Sequence, residues 1–398
     1  MHRTDERPAR WANPASDWIL NTRDDEALLP ADGIQRAEVV LPCTELDQTL
    51  GFFVDRLGFR LDAIFPADAP AFAALSGYGL RLRLDRHAVG PAGVLRLYCE
   101  EPQRVADREL CLVAPNGTRV ELHSNSPIVD LPPLAQSFVV SRLDQHTDWV
   151  VGRAGMRYRD LIPDRQGGRF IASHIHIPDG GPVPDYVHFH YVRFQMIYCY
   201  SGWARLVYQD QGPPFVLQAG DCVLQPPMIR HQVLECSDNM EVIEIGCPAQ
   251  HETHADHDMS LPNPELNPKR DFDGQRFVRH EADKATWGVW RVEGFECRDL
   301  GIAAATDGLA GVRVVRVSEG TGSITCSHDG EFYLLFVLTG SVTLLSEGSE
   351  PLVLSGGDAS VLPSGLKYAL TAGTADLEFL EVALPASFQT VRHAQMVN

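Results

Sequence analysis

Two histidines two residues apart, with a third arriving about forty residues later behind a Gly-Asp turn, constrain this chain more than any other feature. His188-Phe189-His190, Gln195 and Gly202 read H-x-H-x4-Q-x6-G, and Gly220-Asp221, Pro226 and His231 read G-D-x4-P-x4-H. Alternate side chains of a β-strand share a face, so His188 and His190 point the same way. A third imidazole brought in by a later strand completes three neutral nitrogen donors. That is the ligand type of a first-row transition-metal site with open positions, a site for chemistry more than for holding a fold. Gly202 and Gly220 fit hairpins that need positive φ. Pro226 precedes the third histidine's strand, where a missing backbone donor is tolerated. The plain alternative is a barrel whose core histidines are merely hydrogen-bonded.

The pattern occurs twice. Gly340 aligns with Gly202, Gly357-Asp358 with Gly220-Asp221, and Pro363 with Pro226. Cys326, His328, Tyr333 and Tyr368 then stand for His188, His190, Gln195 and His231. This is an internal duplication whose second copy keeps one imidazole of three. Those four side chains can in principle hold ferric iron. The plainer reading is a filled or ligand-free barrel used for packing.

The two motifs resemble the signatures of the cupin family, small antiparallel β-barrels of the jelly-roll type. Gly181, His188, His190 and Gly202 fill the first signature, with six residues rather than five after Gly181. Gly220, Pro226 and His231 fill the second. Gln195 stands where the family usually has a metal-binding Glu, and Met228 where it usually has Gly. The resemblance implies a bicupin with a three-histidine site in its first copy, Gln195 being a weak ligand or a hydrogen-bond donor behind the ligands.

The 398 residues suffice for two or three domains, and 44% apolar content allows a sizeable core. Residues 1–33 read as an arm, with Trp11 and Trp18 docking on a neighbour. Residues 34–126 form a first unit, with strands expected at 37–41, 59–65, 71–76, 80–84, 94–99 and 118–123. An amphipathic helix over 45–57 places Leu46, Leu50, Phe53 and Leu57 on one face, and Gly58 stops it. A Pro-containing linker (127–140) leads to the first barrel, 141–262, where eight short strands with Gly/Pro turns suit a jelly roll. A second polar linker, 263–275, precedes the second barrel, 276–398. The fold class is therefore mostly β: two jelly-roll (cupin) barrels preceded by a small α+β domain.

That first unit is similar to the glyoxalase/bleomycin-resistance, or vicinal-oxygen-chelate, superfamily. The similarity rests on ELDQTLGFFVDRLGFRL (Glu45 to Leu61) and PNGTRVEL (Pro115 to Leu122). By the family's pattern Glu38 and Glu121 are candidate metal positions. The matching strand near Val94 and Leu95 offers no His, and two carboxylates without imidazoles make a poor transition-metal site. The plainer reading is a shortened, metal-free module with Glu121 facing solvent or paired with an arginine; a working metal site there stays open as the alternative.

A net charge of −19 argues against nucleic acid and anionic membrane as partners. No run of eighteen apolar residues exists, so no transmembrane helix is expected, and the polar N-terminus lacks the apolar core of a secretory signal. Nine scattered cysteines without a C-x-x-C pattern read as reduced thiols of a cytoplasmic protein.

Three imidazoles without a carboxylate suit one divalent ion, Fe(II) favoured, with Zn, Ni or Cu as alternatives. The ion keeps its full charge and attracts an anionic, chelating substrate. Open positions admit such a substrate together with dioxygen. Cupins lacking the motif glutamate resemble three-histidine iron dioxygenases acting on gentisate-type rings, 1,3-diketones or thiols. By that resemblance His188, His190 and His231 hold iron and Gln195 hydrogen-bonds a bound oxygen ligand. Arg193 or Arg230 pairs with a substrate carboxylate, or else with a surface acid. Tyr198, Tyr191 or Tyr200 supplies a proton, or else packs at the barrel rim. Phe189, Phe194, Ile197 and Val223 are expected to line the cavity. His174 and His176, one strand earlier, read as structural or surface histidines, or else one of them as a base behind the ligands; His251, His254 and His257 read as a solvated exit segment, or else as an adventitious zinc site. Other readings stay open: a redox-silent Zn or Ni isomerase, epimerase or lyase, a small-molecule binding or sensor protein, and a storage or scaffold bicupin. A homodimer is expected by analogy.

Overall fold

The computed structural model describes residues 34–105, 109–124, 129–145, 149–152, 155–318, 325–371 and 373–393. Trp11 and Trp18, with the expected arm, lie outside the described residues. The described residues divide into two compact units, 34–124 and 129–393.

In the first unit the expected helix forms as Leu46–Gly51 and widens into a π-type turn over Phe52–Arg56. Leu46, Phe53 and Leu57 are buried, as their spacing requires. Gly58 ends the turn at φ +75°. Strands Val39–Pro42, Arg60–Phe65, Phe72–Gly77 and Leu80–Asp85 form one sheet in the order first, fourth, third, second, with the first and fourth parallel. A shorter echo follows. Val94–Cys99 pairs in parallel with Arg119–Ser124, which also takes Cys111–Val113.

The second unit holds two barrels of matching topology. In the first barrel one sheet runs Arg157–Asp160, Ile171–Ile177, Met240–Cys247, Phe194–Ser201, Cys222–Leu224. The facing sheet runs Phe215–Gln218, Trp203–Tyr208, His231–Cys236, His188–His190, Thr253–Ala255. The second barrel repeats both: Phe295–Asp299, Gly311–Val317, Glu378–Leu384, Phe332–Thr339, Ala359–Val361 in one sheet, and Leu352–Ser355, Ser341–Ser346, Tyr368–Thr371, Cys326–His328, Thr390–Arg392 in the other. These are cupin jelly rolls. The duplication holds at the level of register. His188 lies opposite His231 as Cys326 lies opposite Tyr368, and Gln195 opposite Gly246 as Tyr333 opposite Ala383.

Strand exchange corrects the sequence-based boundaries. Val139–Ser141, at the end of the expected linker, joins the second barrel beside Ala359–Val361. Val278–His280, expected in the second barrel, joins the first beside Cys222–Leu224. The Gly-Asp turns explain why both exchanges hold. Gly220 and Gly357 take φ +92° and +89°, which a side chain resists. One oxygen of each following Asp caps its own turn. Its other oxygen accepts the backbone N–H just past the visiting strand: Ala282 on Asp221 and Leu143 on Asp358, both at 2.8 Å.

The outer faces of the two larger sheets pack on each other. Phe194, Met196 and Tyr198 share one core with Phe332, Leu334 and Phe336, and Phe170 stacks on Phe332 at 4.2 Å between ring centroids. The inner faces are left to line each barrel.

Candidate metal centre

His188 and His190 leave the short strand His188–His190 on its inner face, and His231 opens the neighbouring strand directly opposite His188. The rings of His188 and His231 lie 4.2 Å apart, those of His190 and His231 5.4 Å. All three are buried. One ligand nitrogen from each lies within 4.8 Å of the other two. A first-row ion bonds imidazole nitrogen at about 2.0–2.1 Å, so this spacing suits one ion.

The tautomers are set by the backbone. Each Nδ1 faces a carbonyl oxygen: His188 that of Tyr186 at 2.8 Å, His190 that of Glu252 at 3.1 Å, His231 that of Ile229 at 3.0 Å. A carbonyl can only accept, so each Nδ1 carries a proton and Nε2 is the nitrogen left to face an ion. Asp185, itself buried, stands 3.5 Å from His188 Nδ1. Neutral imidazoles turned by hydrogen bonds on their far nitrogens are how proteins prepare histidine ligands.

A cavity of about 120 Å³ opens beside the three rings. Its walls include Met156, Ile175, Ile197, Leu206 and Val242. Five polar side chains besides the histidines interrupt them: Tyr158, Gln195, Tyr208, Gln225 and Glu244. Gln195 Nε2 donates to Glu244 Oε1 at 2.7 Å, and Gln225 Nε2 to the Tyr208 hydroxyl at 2.8 Å. Burial raises the Tyr208 phenol well above its ordinary range, so it stays neutral. A larger open cleft on the second barrel, about 780 Å³ and lined by Glu293, Glu296, Arg316 and Asp376, brings no imidazoles together.

Two expected site residues are elsewhere. Arg193 precedes the strand and turns to the second barrel, where both its Nη atoms bond the Glu331 carboxylate at 2.8–3.1 Å. Tyr198 has the opposite strand parity to Gln195 and Ile197. It is buried in the core between the barrels, where Arg298 Nη2 donates to its hydroxyl at 3.3 Å. Phe194 shares that core. Tyr200 donates to the Leu338 carbonyl, and Arg230 bonds Asp256 while lying over Phe189. Of the expected apolar lining, Ile197 faces the cavity.

His174 also faces outward, wedged between Arg159 and Glu241. Burial pushes its pKa down, the Glu241 carboxylate only partly opposing this. The expected exit segment instead forms the strand Thr253–Ala255 beside His188–His190. His251 lies against the His190 ring at 5.3 Å, with Nδ1 3.0 Å from the Pro248 carbonyl. His251 also lies over Gly246, where a Cβ would meet Ile171 Cγ2 at 3.3 Å and His251 Cε1 at 3.4 Å.

Sequence reading missed Glu244 and Tyr208. Glu244 had a signal. It alternates with Met240, Val242 and Gly246 along an apolar strand, so it shares their face, whichever way that face points.

In the second barrel Arg291 fills the corresponding space. It pairs with the fully buried Glu381, meets the Tyr333 hydroxyl, and lies 4.3 Å over the Trp290 ring. Among the described residues only the three first-barrel histidines form a metal-type cluster. Glu38 and Glu121 are bound by arginines, Glu38 by Arg83 at 4.0 Å and Glu121 by Arg96 at 2.8 Å and Arg119 at 2.7 Å. No described helix is long and apolar enough to cross a membrane.

No family model and no curated protein matches the chain. Solved structures share the fold. A salicylate 1,2-dioxygenase from Pseudaminobacter salicylatoxidans is 18% identical with a TM-score of 0.50, the match covering 68% of this chain and 91% of that one. A single-residue variant of that enzyme in complex with gentisate is 17% identical at TM-score 0.50, covering 67% and 88%. An oxalate decarboxylase from Bacillus subtilis is 13% identical at 0.47, covering 67% and 81%.

Proposed function

We propose that the first barrel is a metal-dependent enzyme, a three-histidine non-haem Fe(II) dioxygenase acting on a small aromatic or 1,3-dicarbonyl-type anion. One observation carries this reading: three buried imidazoles, each turned by a backbone carbonyl, at the edge of a small apolar cavity. His188, His190 and His231 would hold the ion. Bound iron would supply a Lewis-acidic, redox-active centre with positions open to a chelating anion and dioxygen. The imidazoles contribute no charge, so an anion is drawn to the site. The walls are largely apolar, and about 120 Å³, somewhat below the ~150 Å³ of a cavity that takes up benzene, limits the substrate to a small body. The fold shared with salicylate 1,2-dioxygenase supports an enzyme of this kind.

Glu244 favours a second reading. A carboxylate on the wall of a metal cavity suits proton transfer next to a redox-silent Zn or Ni ion, as in an isomerase or lyase. We read the 34–124 unit as a metal-free glyoxalase-type module. Its parallel first and fourth strands and arginine-bound carboxylates support that.

Elemental analysis of untagged protein, with oxygen uptake over catechols, gentisate-like acids, 1,3-diketones and thiols, tests the proposal. One iron per chain and substrate-triggered oxygen uptake is expected. Zinc or nickel without oxygen uptake would transfer the reading to the isomerase class, and protein that takes up no metal would refute it.

A further inference from the structure

We propose that Glu244 is a positioning residue that turns the Gln195 amide so that its carbonyl oxygen faces the three imidazoles as a neutral donor to the ion. The proposal rests on the reading of this site as a metal centre. An amide side chain has two chemically different ends, and its hydrogen-bond partners decide which way it points. Gln195 is buried, and its Nε2 donates to Glu244 Oε1 at 2.7 Å. The reverse orientation would set carbonyl oxygen against carboxylate oxygen, with no hydrogen between them. Oε1 must therefore point away from Glu244.

Strand register says what lies on that side. Gln195 is opposite Gly246, and Glu244 is the next inward position along the same neighbouring strand. Gly246 has no side chain, and the space over it holds His251, whose ring touches His190. Gln195 is thus flanked by the carboxylate on one side and by His251 over Gly246 on the other, and it lines the same cavity as His188, His190 and His231.

The second barrel offers an internal comparison. Glu381 occupies the register position of Glu244, and Tyr333 that of Gln195. There two imidazoles are gone, and the carboxylate is claimed by Arg291, Arg313 and the Trp290 N–H. Only in the copy with three histidines does this acid hold an amide. The consequence is a donor set with no net charge, its carboxylate held one residue back. The ion keeps a full 2+ toward an anionic ligand.

Cobalt(II) titration of the full-length protein against a competing chelator, with the visible spectrum of the bound ion, tests this. Glu244→Leu removes the acceptor, Glu244→Gln keeps one, and Gln195→Leu removes the donor oxygen. Thermal unfolding of each metal-free variant checks that it is folded. Glu244→Leu and Gln195→Leu should each weaken cobalt binding about 10–100-fold and shift the same absorption bands. The double variant should be no weaker than Gln195→Leu alone, and Glu244→Gln should stay near the parent. A Glu244→Leu protein equal to the parent in affinity and spectrum would overturn the positioning role. So would a double variant whose loss is the product of the single losses. A parent protein that binds no cobalt would instead remove the metal reading, and this inference with it.

Discussion

Arg193→Ala separates a catalytic from a structural arginine. Two residues before Gln195, Arg193 looks placed to meet a substrate carboxylate. The structure commits it to Glu331 of the second barrel through contacts at 2.8, 3.0 and 3.1 Å, and Arg169 holds the same carboxylate at 2.9 Å. The Arg193 and Glu331 side chains are 26% and 20% exposed, so the pair lies between a surface ion pair and a buried one. Surface pairs contribute about 0.2–1 kcal/mol, and breaking a buried one costs about 3–5 kcal/mol. With Arg169 still in place, about 2 kcal/mol is expected. For a unit of this size that lowers Tm by about 4–8 °C. Calorimetry should show the drop, while cobalt affinity and oxygen uptake per folded protein stay unchanged. An unaltered Tm with lost turnover or lost binding of anionic ligands would refute the reasoning and return Arg193 to the site.

Other outcomes follow from the same geometry. His188→Ala should abolish stoichiometric metal while the circular dichroism spectrum persists, and metal retained in that variant would remove the site assignment. Tyr198→Phe should leave metal content and turnover unchanged, because its hydroxyl bonds Arg298 in the core between the barrels. Gly202→Ala should cost more than Gly274→Ala. Both have positive φ, but a Cβ at 202 would stand 2.3 Å from Ser237 Oγ and one at 274 meets open space, so equal Tm losses would contradict the packing. His174 has a folded pKa pushed below its ordinary value by burial. The unfolded chain therefore takes up the proton first as pH falls, and stability should decline below about pH 6.5 until the folded pKa is reached. Tm measured from pH 8 to 5 should show this slope, and His174→Phe should flatten it.

What was legible in the sequence is what local pattern determines. The H-x-H and Gly-Asp spacings located three side chains that meet in space, because strand alternation and turn glycines are local. The helix face of Leu46, Phe53 and Leu57 was readable for the same reason. Strand exchange was not. Val139–Ser141 lies some two hundred residues from Ala359–Val361, and nothing local says which barrel a short apolar strand will join. Tyr198 was misplaced although its parity, opposite to that of Gln195, was available. Arg193 sits before the strand begins, where alternation gives no direction. Glu244 was hidden because a lone acid in an apolar strand reads as a surface position until its neighbours' inward parity is known.

The second barrel shows how much of the first one's design is scaffold and how much is site. Both copies share strand order, register and the turn aspartates, so none of these accounts for the histidine cluster. The difference lies in a few inward positions. Where the first barrel has three imidazoles, an amide and open space, the second has Cys326, His328, Tyr368, Tyr333 and the guanidinium of Arg291 against Glu381. A buried carboxylate requires a counter-charge or hydrogen-bond donors. In the second copy the chain supplies both, and the barrel is closed by its own cation. In the first, an amide donor meets the carboxylate. The second barrel is filled by its own guanidinium, whereas the first keeps three imidazoles and an amide beside a cavity.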